Sequence, residues 1–378
     1  MVSYLRIRNV DAVMLRLSDE IYERDALAVK GGAEHPMEVL LVIVETDSGL
    51  IGYGESVSYG GLYAVYAAVK KVLVPMLRGH EVDGISDLWD RMYKATFRLG
   101  RRGIMISAMS GIDIALWDLL GKELGAPIYR LLGGRAKRIK GYITGGYYRE
   151  GKDIRELVEE VKNYVKQGFK TVKIKVGGVE LAEDLRRLRA IKEEFGDSLE
   201  IAVDANNVYS FNEALKAGRE FEKLGVIFFE EPIMTDFPDL SAELARTLEI
   251  PIAGFETAYT LYEFRELISK RAVDIVQADA AWNGGITEMY RIGVMARAYG
   301  LPLIPHYSAG GVGFVASLHV ALAMGSPMVE YHLRPNKLRE GLAGDAIKYE
   351  NGEFLPPAGP GLGIKPLEKV KEEYKVKE

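Results

Sequence analysis

The 378-residue chain contains no cysteine. That absence excludes a disulfide scaffold, a thiolate metal site and a cysteine nucleophile together. Glutamine is scarce, with only Gln167 and Gln277 present, while Lys, Arg and Glu are plentiful. This composition avoids labile side chains in the manner of thermophile proteins. Basic excess is also missing: 49 Lys and Arg face 54 Asp and Glu, a net charge of -5. A nucleic-acid or anionic-membrane surface would need the opposite sign. The apolar run from Val39 to Val44 is far too short to span a bilayer. Met1 to Arg8 has neither the apolar stretch nor the small-residue cleavage site of a signal peptide, so a cytoplasmic location is expected.

With 48% hydrophobic and 27% charged residues, the chain can bury a sizeable core. No linker rich in Pro, Gly or Ser interrupts it. Glu38 to Glu45, turned by Asp47-Ser48-Gly49 into Leu50 to Gly54, reads as a hairpin. Amphipathic spacing predicts helices over 62–77, 85–97 and 104–124, the last stopped by Gly125 and Pro127. Gly133-Gly134 marks a boundary, and from about Ile139 short apolar runs alternate with helical stretches. Eight such runs are expected as strands: 141–146, 171–176, 200–205, 226–230, 252–256, 275–279, 303–306 and 328–332. Eight strands with intervening helices predict an α/β fold containing a (β/α)8 (TIM-type) barrel, which takes about 250 residues and leaves about 130 outside it.

Most of these runs end in a polar residue. Asp204, Glu230 and Glu256 stand 26 residues apart at each step, about one βα unit, so three acids reach the carboxyl-terminal mouth on neighbouring strands. Unpartnered, they would repel one another and force protonation, a conflict that a divalent cation resolves. All-oxygen ligation suits Mg2+. Asp279, His306 and Glu330 continue the spacing at 23, 27 and 24 residues. Asp279 is then within reach of His306, where it would orient the imidazole and raise its basicity. In Val172-Lys173-Ile174-Lys175-Val176, period-two alternation puts both lysines on the face opposite the apolar residues, into the mouth. A second cation and a metal nearby are expected to lower the lysine pKa. Asn206 lies on the Asp204 face if that strand persists, within reach of a substrate oxygen. Gly310-Gly311-x-Gly313 is expected to border a substrate carboxylate at a helix N-terminus. Gly52-x-Gly54 lies in a hairpin and lacks the setting of a dinucleotide fingerprint.

Two proton-transfer groups flanking a carboxylate-bound cation suit abstraction of a proton α to a carboxylate. The segments Thr171-Val-Lys-Ile-Lys-Val, Val203-Asp-Ala-Asn, Phe229-Glu-Glu-Pro, Gly254-Phe-Glu, Gln277-Ala-Asp, Pro305-His-Tyr and Val329-Glu-Tyr resemble the mandelate-racemase branch of the enolase superfamily. Such sites use a Lys or His base with one or two Mg2+ ions. The resemblance implies an α+β capping domain over 1–134, a barrel over 135–340, and a tail over 341–378 that returns to the cap. It implies Asp204, Glu230 and Glu256 as Mg2+ ligands. Lys175 and the His306–Asp279 pair would be the two bases, with Lys173 and Glu330 assisting the substrate carboxylate. Asn206, Tyr22, His35 and Tyr147 are the expected substrate contacts, with Arg24 and Tyr59 also on the cap loops. Arg101-Arg102-Gly103, Tyr142 to Tyr148 and Ile304 to Gly311 resemble acid-sugar dehydratases within that branch. This implies loss of water from an aldonic acid, D-arabinonate ahead of gluconate, to give a 2-keto-3-deoxy acid. It further implies a homo-oligomer, octameric or smaller, with a small acid sugar as partner. A racemase or epimerase using the same two bases is the alternative reading, and a non-catalytic binding protein the remote one.

Overall fold

In the computed structural model, which describes residues 5–17, 23–32, 36–308 and 310–377, the amino-terminal part is an antiparallel sheet in the order β1-β2-β3. Its strands are β1 (Ile7–Arg16), β2 (Glu38–Thr46) and β3 (Ile51–Val57). The unbroken apolar run in β2 has a simple cause. Leu40, Val42 and Val44 face the cap's own helices while Val39 and Leu41 face the main core, so both faces are covered. Strand β1 was not expected from sequence, because its charged residues and a register shift between Ile7 and Asn9 blur the alternation.

The helices fall close to where periodicity puts them. The first is continuous but contains a π-helical segment, Ala68–Leu73; the others are Ile85–Thr96 and Ile104–Glu123. By length and composition Ile104–Glu123 is apolar enough to cross a membrane, contrary to the expectation drawn from short runs. Its apolarity has a different source: 83% of its most apolar window is buried, against β2 and β3 and against the barrel helix Gly285–Ala298.

The second part is a ring of parallel strands. In chain order they are β4 (Ile139–Gly145), β5 (Thr171–Lys175), β6 (Glu200–Asp204), β7 (Phe229–Glu230), β8 (Ile252–Gly254), β9 (Ile275–Val276) and β10 (Met328–Tyr331), with β10 pairing back on β4. The segment expected as a full seventh strand, Leu303 to His306, makes only one bridge, Val276 to Leu303. Pro302 and Pro305 supply no N–H, so its ladder is interrupted. Its hydrogen bonds to the β9 side persist at Ile304 and His306. On the other side, side chains make the joint: the Tyr307 N–H donates to Glu330 Oε2 at 3.0 Å. Tyr142, Ala202, Phe228, Ala253 and Ile304 form an apolar floor inside the ring. The tail crosses back to the sheet, where Val376 N–H donates to the Met14 carbonyl and Arg16 N–H to that of Tyr374.

Two buried carboxylates of the amino-terminal part dock on barrel helices. Glu55 in β3 accepts from the N–H groups of Gly310 and Val312, at the start of the helix Gly311–Met324. That helix N-terminus is therefore filled by an internal carboxyl group, which corrects the expectation that it borders a substrate carboxylate. Asp113 accepts from the N–H and hydroxyl of Thr287 at the start of the helix Gly285–Ala298. A Cβ at Gly285 would sit 2.2 Å from Asp113 Oδ2, so only glycine allows the approach. Burial pushes Asp113 from its ordinary 3.8 up to about 7, against the pull of the Thr287 donors.

The native state therefore holds a proton on Asp113 that the unfolded chain has released, and stability falls as pH rises from about 4 to about 7. Asp113→Asn should flatten that fall. Melting temperatures followed from pH 5 to pH 8 should drop less for the variant than for the wild type. Parallel curves would contradict the assignment.

Candidate active site

Register sets the level of the acidic side chains. Lys175 on β5 is opposite Asp204 on β6, and Asp204 is opposite Glu230 on β7. The same faces carry Ala202 and Phe228 two residues earlier, in the apolar floor, so Asp204 and Glu230 stand one layer above it. Glu256 lies just beyond the end of β8. All three acids are buried.

The two lysines of β5 reach these acids from one side. Lys175 Nζ donates to Asp204 Oδ2 at 2.5 Å. Lys173 Nζ lies 2.6 Å from Glu230 Oε1, 2.9 Å from Glu330 Oε1 and 3.5 Å from Asp204 Oδ2. Burial alone would lower both lysine pKa values. The carboxylates outweigh it and hold both well above the ordinary range, Glu230 and Glu330 acting on Lys173 and Asp204 on Lys175. The direction expected for Lys175 was that beside a bound metal; Asp204, when it pairs with Lys175, sets the opposite one.

On the opposite side, His306 Nδ1 lies 3.0 Å from Asp279 Oδ2. Its Nε2 is 2.7 Å from Glu256 Oε2, an ion-pair contact that is off the N–H axis, so this oxygen has no aligned donor. Burial favours neutral imidazole, yet Glu256 and Asp279 together hold it protonated. Asn283, a residue the sequence reading did not single out, ties this side together. Its amide donates to the carbonyls of Glu256 and Ala258, and its Oδ1 accepts from the Asp279 N–H.

Six buried carboxylates thus share the mouth: Asp204, Glu230, Glu231, Glu256, Asp279 and Glu330. Among the described residues three cations, Lys173, Lys175 and His306, pair with them. Burial, together with Asp204, Glu330 and Glu256, raises Glu230 to about 8 despite Lys173. Among the described residues no three acid or imidazole groups converge closely enough to hold a metal ion in this arrangement, and Lys173, Lys175 and His306 occupy oxygens of these acids. An all-oxygen donor set with surplus negative charge nevertheless fits a hard divalent cation, and Asp204, Glu230 and Glu256 are the residues that could hold one.

Aromatic side chains wall the mouth. The Tyr147 ring lies under Lys175 Nζ at 5.2 Å and under the Arg334 guanidinium at 3.9 Å. On the other flank, the Trp282 ring packs against His306 at 6.0 Å and against Tyr59 at 4.5 Å, while the Tyr59 hydroxyl donates to Ser308 Oγ at 2.6 Å. The strand does not persist to Asn206 as expected. Asn206 takes a left-handed φ of 45°, which lets its N–H donate to Asp204 Oδ1 and leaves its own Oδ1 without a partner. Arg24 pairs with Tyr148 through both backbone N–H groups. Tyr22 and His35 lie outside the described residues.

Two family models match the chain: "Mandelate racemase / muconate lactonizing enzyme, N-terminal domain" over residues 16–133, and "Enolase C-terminal domain-like" over residues 156–370. Arabinonate dehydratase of Saccharolobus solfataricus is 55% identical over 355 residues, covering 94% of this chain and 95% of that protein. D-galactarolactone cycloisomerase of Agrobacterium fabrum is 35% identical, over 86% of this chain and 88% of that one. The solved structure of L-talarate/galactarate dehydratase from Salmonella typhimurium LT2, liganded with Mg and L-lyxarohydroxamate, superposes with a TM-score of 0.89 at 28% identity. It covers 99% of this chain and 94% of its own.

Removal of one donor tests the cation reading apart from catalysis. In calorimetric titration with Mg2+, Glu230→Gln should weaken binding at least about tenfold, whereas His306→Ala should leave it within about threefold. Equal weakening by both would contradict it.

Proposed function

As the chain belongs to the enolase superfamily, in its mandelate racemase and muconate lactonizing enzyme branch, we propose that it is a Mg2+-dependent hydro-lyase. Its substrate is an aldonic acid, D-arabinonate ahead of gluconate, and its product is a 2-keto-3-deoxy acid. The observation that carries the proposal is the placement of Lys175 and His306 at opposite ends of one row of carboxylates: Lys175 on Asp204, His306 on Glu256, with Glu230 between. The 55% identity to an arabinonate dehydratase supports the choice of substrate.

In this reading Asp204, Glu230 and Glu256 hold Mg2+, which would supply Lewis-acid stabilisation of charge at the substrate carboxylate. Lys173, fixed between Glu230 and Glu330, meets the same carboxylate as a buried point charge. Lys175 Nζ takes the C2 proton. An ammonium has no lone pair, so Lys175 must first release a proton to solvent, which it does more readily once Asp204 no longer pairs with it. His306 Nε2, its ring oriented by Asp279, gives a proton to the 3-hydroxyl as the C3–O bond breaks and water leaves. The resulting enol becomes the 2-keto-3-deoxy acid by proton return at C3. The roles of Lys175 and His306 exchange if the C2 configuration presents the proton to the other face. The same reading takes the enzyme as a cytoplasmic homo-oligomer, octameric or smaller. An interface is supported by exposed Phe97 and Tyr262, which flank Tyr93, and by exposed Leu99 nearby.

A panel of aldonic and aldaric acids with Mg2+, scored for 2-keto-3-deoxy acid, tests the reaction. D-arabinonate should give the highest rate, and Lys175→Ala or His306→Ala should each lower kcat at least about 100-fold. In deuterated water, inversion at C2 with the 3-hydroxyl retained would show an epimerase instead.

A further inference from the structure

Just past the strand that carries Glu330 lies a further buried residue with no role in the mechanism above. The strand ends at Tyr331, and the next residue, His332, stands beside Tyr147 on the wall of the mouth and near Glu330. The ring is buried, 7% exposed, beside Tyr307 at 5.5 Å and Tyr147 at 6.2 Å. His332 Nε2 lies 2.8 Å from the Tyr307 carbonyl oxygen, which can only accept. The proton is therefore on Nε2, and Nδ1 is left as a bare acceptor. That Nδ1 is buried and has no hydrogen-bond partner. Glu330 Oε1, at 3.9 Å from Nε2, is too distant to satisfy the ring and lies on its other nitrogen. The backbone is also pinned, because Arg339 donates to the His332 carbonyl at 2.6 Å.

A tautomer fixed by the backbone, with its acceptor buried and unmatched, is a poor structural element and a good hydroxyl receptor. The ring stands beside both Glu330 Oε1, 3.9 Å from its Nε2, and the Tyr147 wall, within reach of a five-carbon acid whose carboxylate lies at Lys173. We infer that His332 is a specificity-determining residue whose Nδ1 accepts a hydrogen bond from the terminal hydroxyl of the aldonate held by Lys173 and Glu330. The inference rests on the acid-sugar reading of the site. Lys175 and His306 work at C2 and C3, so His332 measures how far the chain extends beyond the reacting carbons.

The test compares D-arabinonate with 5-deoxy-D-arabinonate, in the presence of Mg2+, by calorimetric binding and by steady-state kinetics. His332→Gln keeps an N–H donor for the Tyr307 carbonyl but moves its acceptor oxygen off the Nδ1 position; His332→Asn places a carboxamide oxygen near the Nδ1 position. The wild type should favour the hydroxylated acid at least tenfold in both Kd and kcat/KM. In His332→Gln that preference should fall below about twofold through a higher KM for D-arabinonate, with the 5-deoxy acid unchanged. His332→Asn should recover part of it. A wild-type preference retained by His332→Gln, or an equal loss for both acids, overturns the inference. A binding preference in a wild type that dehydrates neither acid supports this role and overturns only the dehydratase reading; no binding of either acid overturns both.

Discussion

Asp204, Glu230, Glu231, Glu256, Asp279 and Glu330 are drawn into one buried cluster, and among the described residues Lys173, Lys175 and His306 are the cations that pair with them. Burial of that much like charge is costly unless each ion is paired, and the pairing found here sets the positions of the groups suited to chemistry. Lys175 is drawn onto Asp204 and His306 onto Glu256, so the two proton-transfer groups lie at the ends of the acidic row. Lys173 is fixed in its middle. The arrangement is preorganised because β5, β6 and β7 hold Lys175, Asp204 and Glu230 in one register.

The rest of the fold serves that layer. The apolar floor of Tyr142, Ala202, Phe228, Ala253 and Ile304 closes the ring beneath it and keeps water out from below. From above, the amino-terminal part covers each end with a different device. The segment at Arg24 is stitched to Tyr148 next to Lys175, and Tyr59 lies on Trp282 next to His306. Glu55 and Asp113 hold that part in place by accepting hydrogen bonds from the N–H groups that begin two barrel helices. Carboxylates thus do two jobs here: at the mouth they attract cations, and at the seam they join the two parts.

Much of this was readable from residue order. A barrel repeats a strand and a helix, so a polar residue that ends each apolar run recurs at nearly constant spacing, and Asp204, Glu230 and Glu256 stand out for that reason. The Lys173–Lys175 alternation was equally plain. The Leu303–His306 segment was overread, because its apolar residues look like a strand while Pro302 and Pro305 deny it a ladder. The sequence does not show that Asp204 touches Lys175 and, in that pairing, holds its pKa up. Asn283 and Trp282 act through distances that no local pattern reports. Asp113 gave a usable signal, a buried acid deep in the apolar helix Ile104–Glu123, and so did His332, two residues past Glu330.

Diffraction from crystals grown with Mn2+, an anomalous scatterer that takes Mg2+ sites, tests the central claim most directly. The account predicts one strong anomalous peak bonded to carboxylate oxygens of Asp204, Glu230 and Glu256, with Lys175 and His306 released toward the cavity on either side. Mn2+ bound elsewhere, or a mouth in which Lys173, Lys175 and His306 keep all three carboxylates at saturating Mn2+, would contradict it.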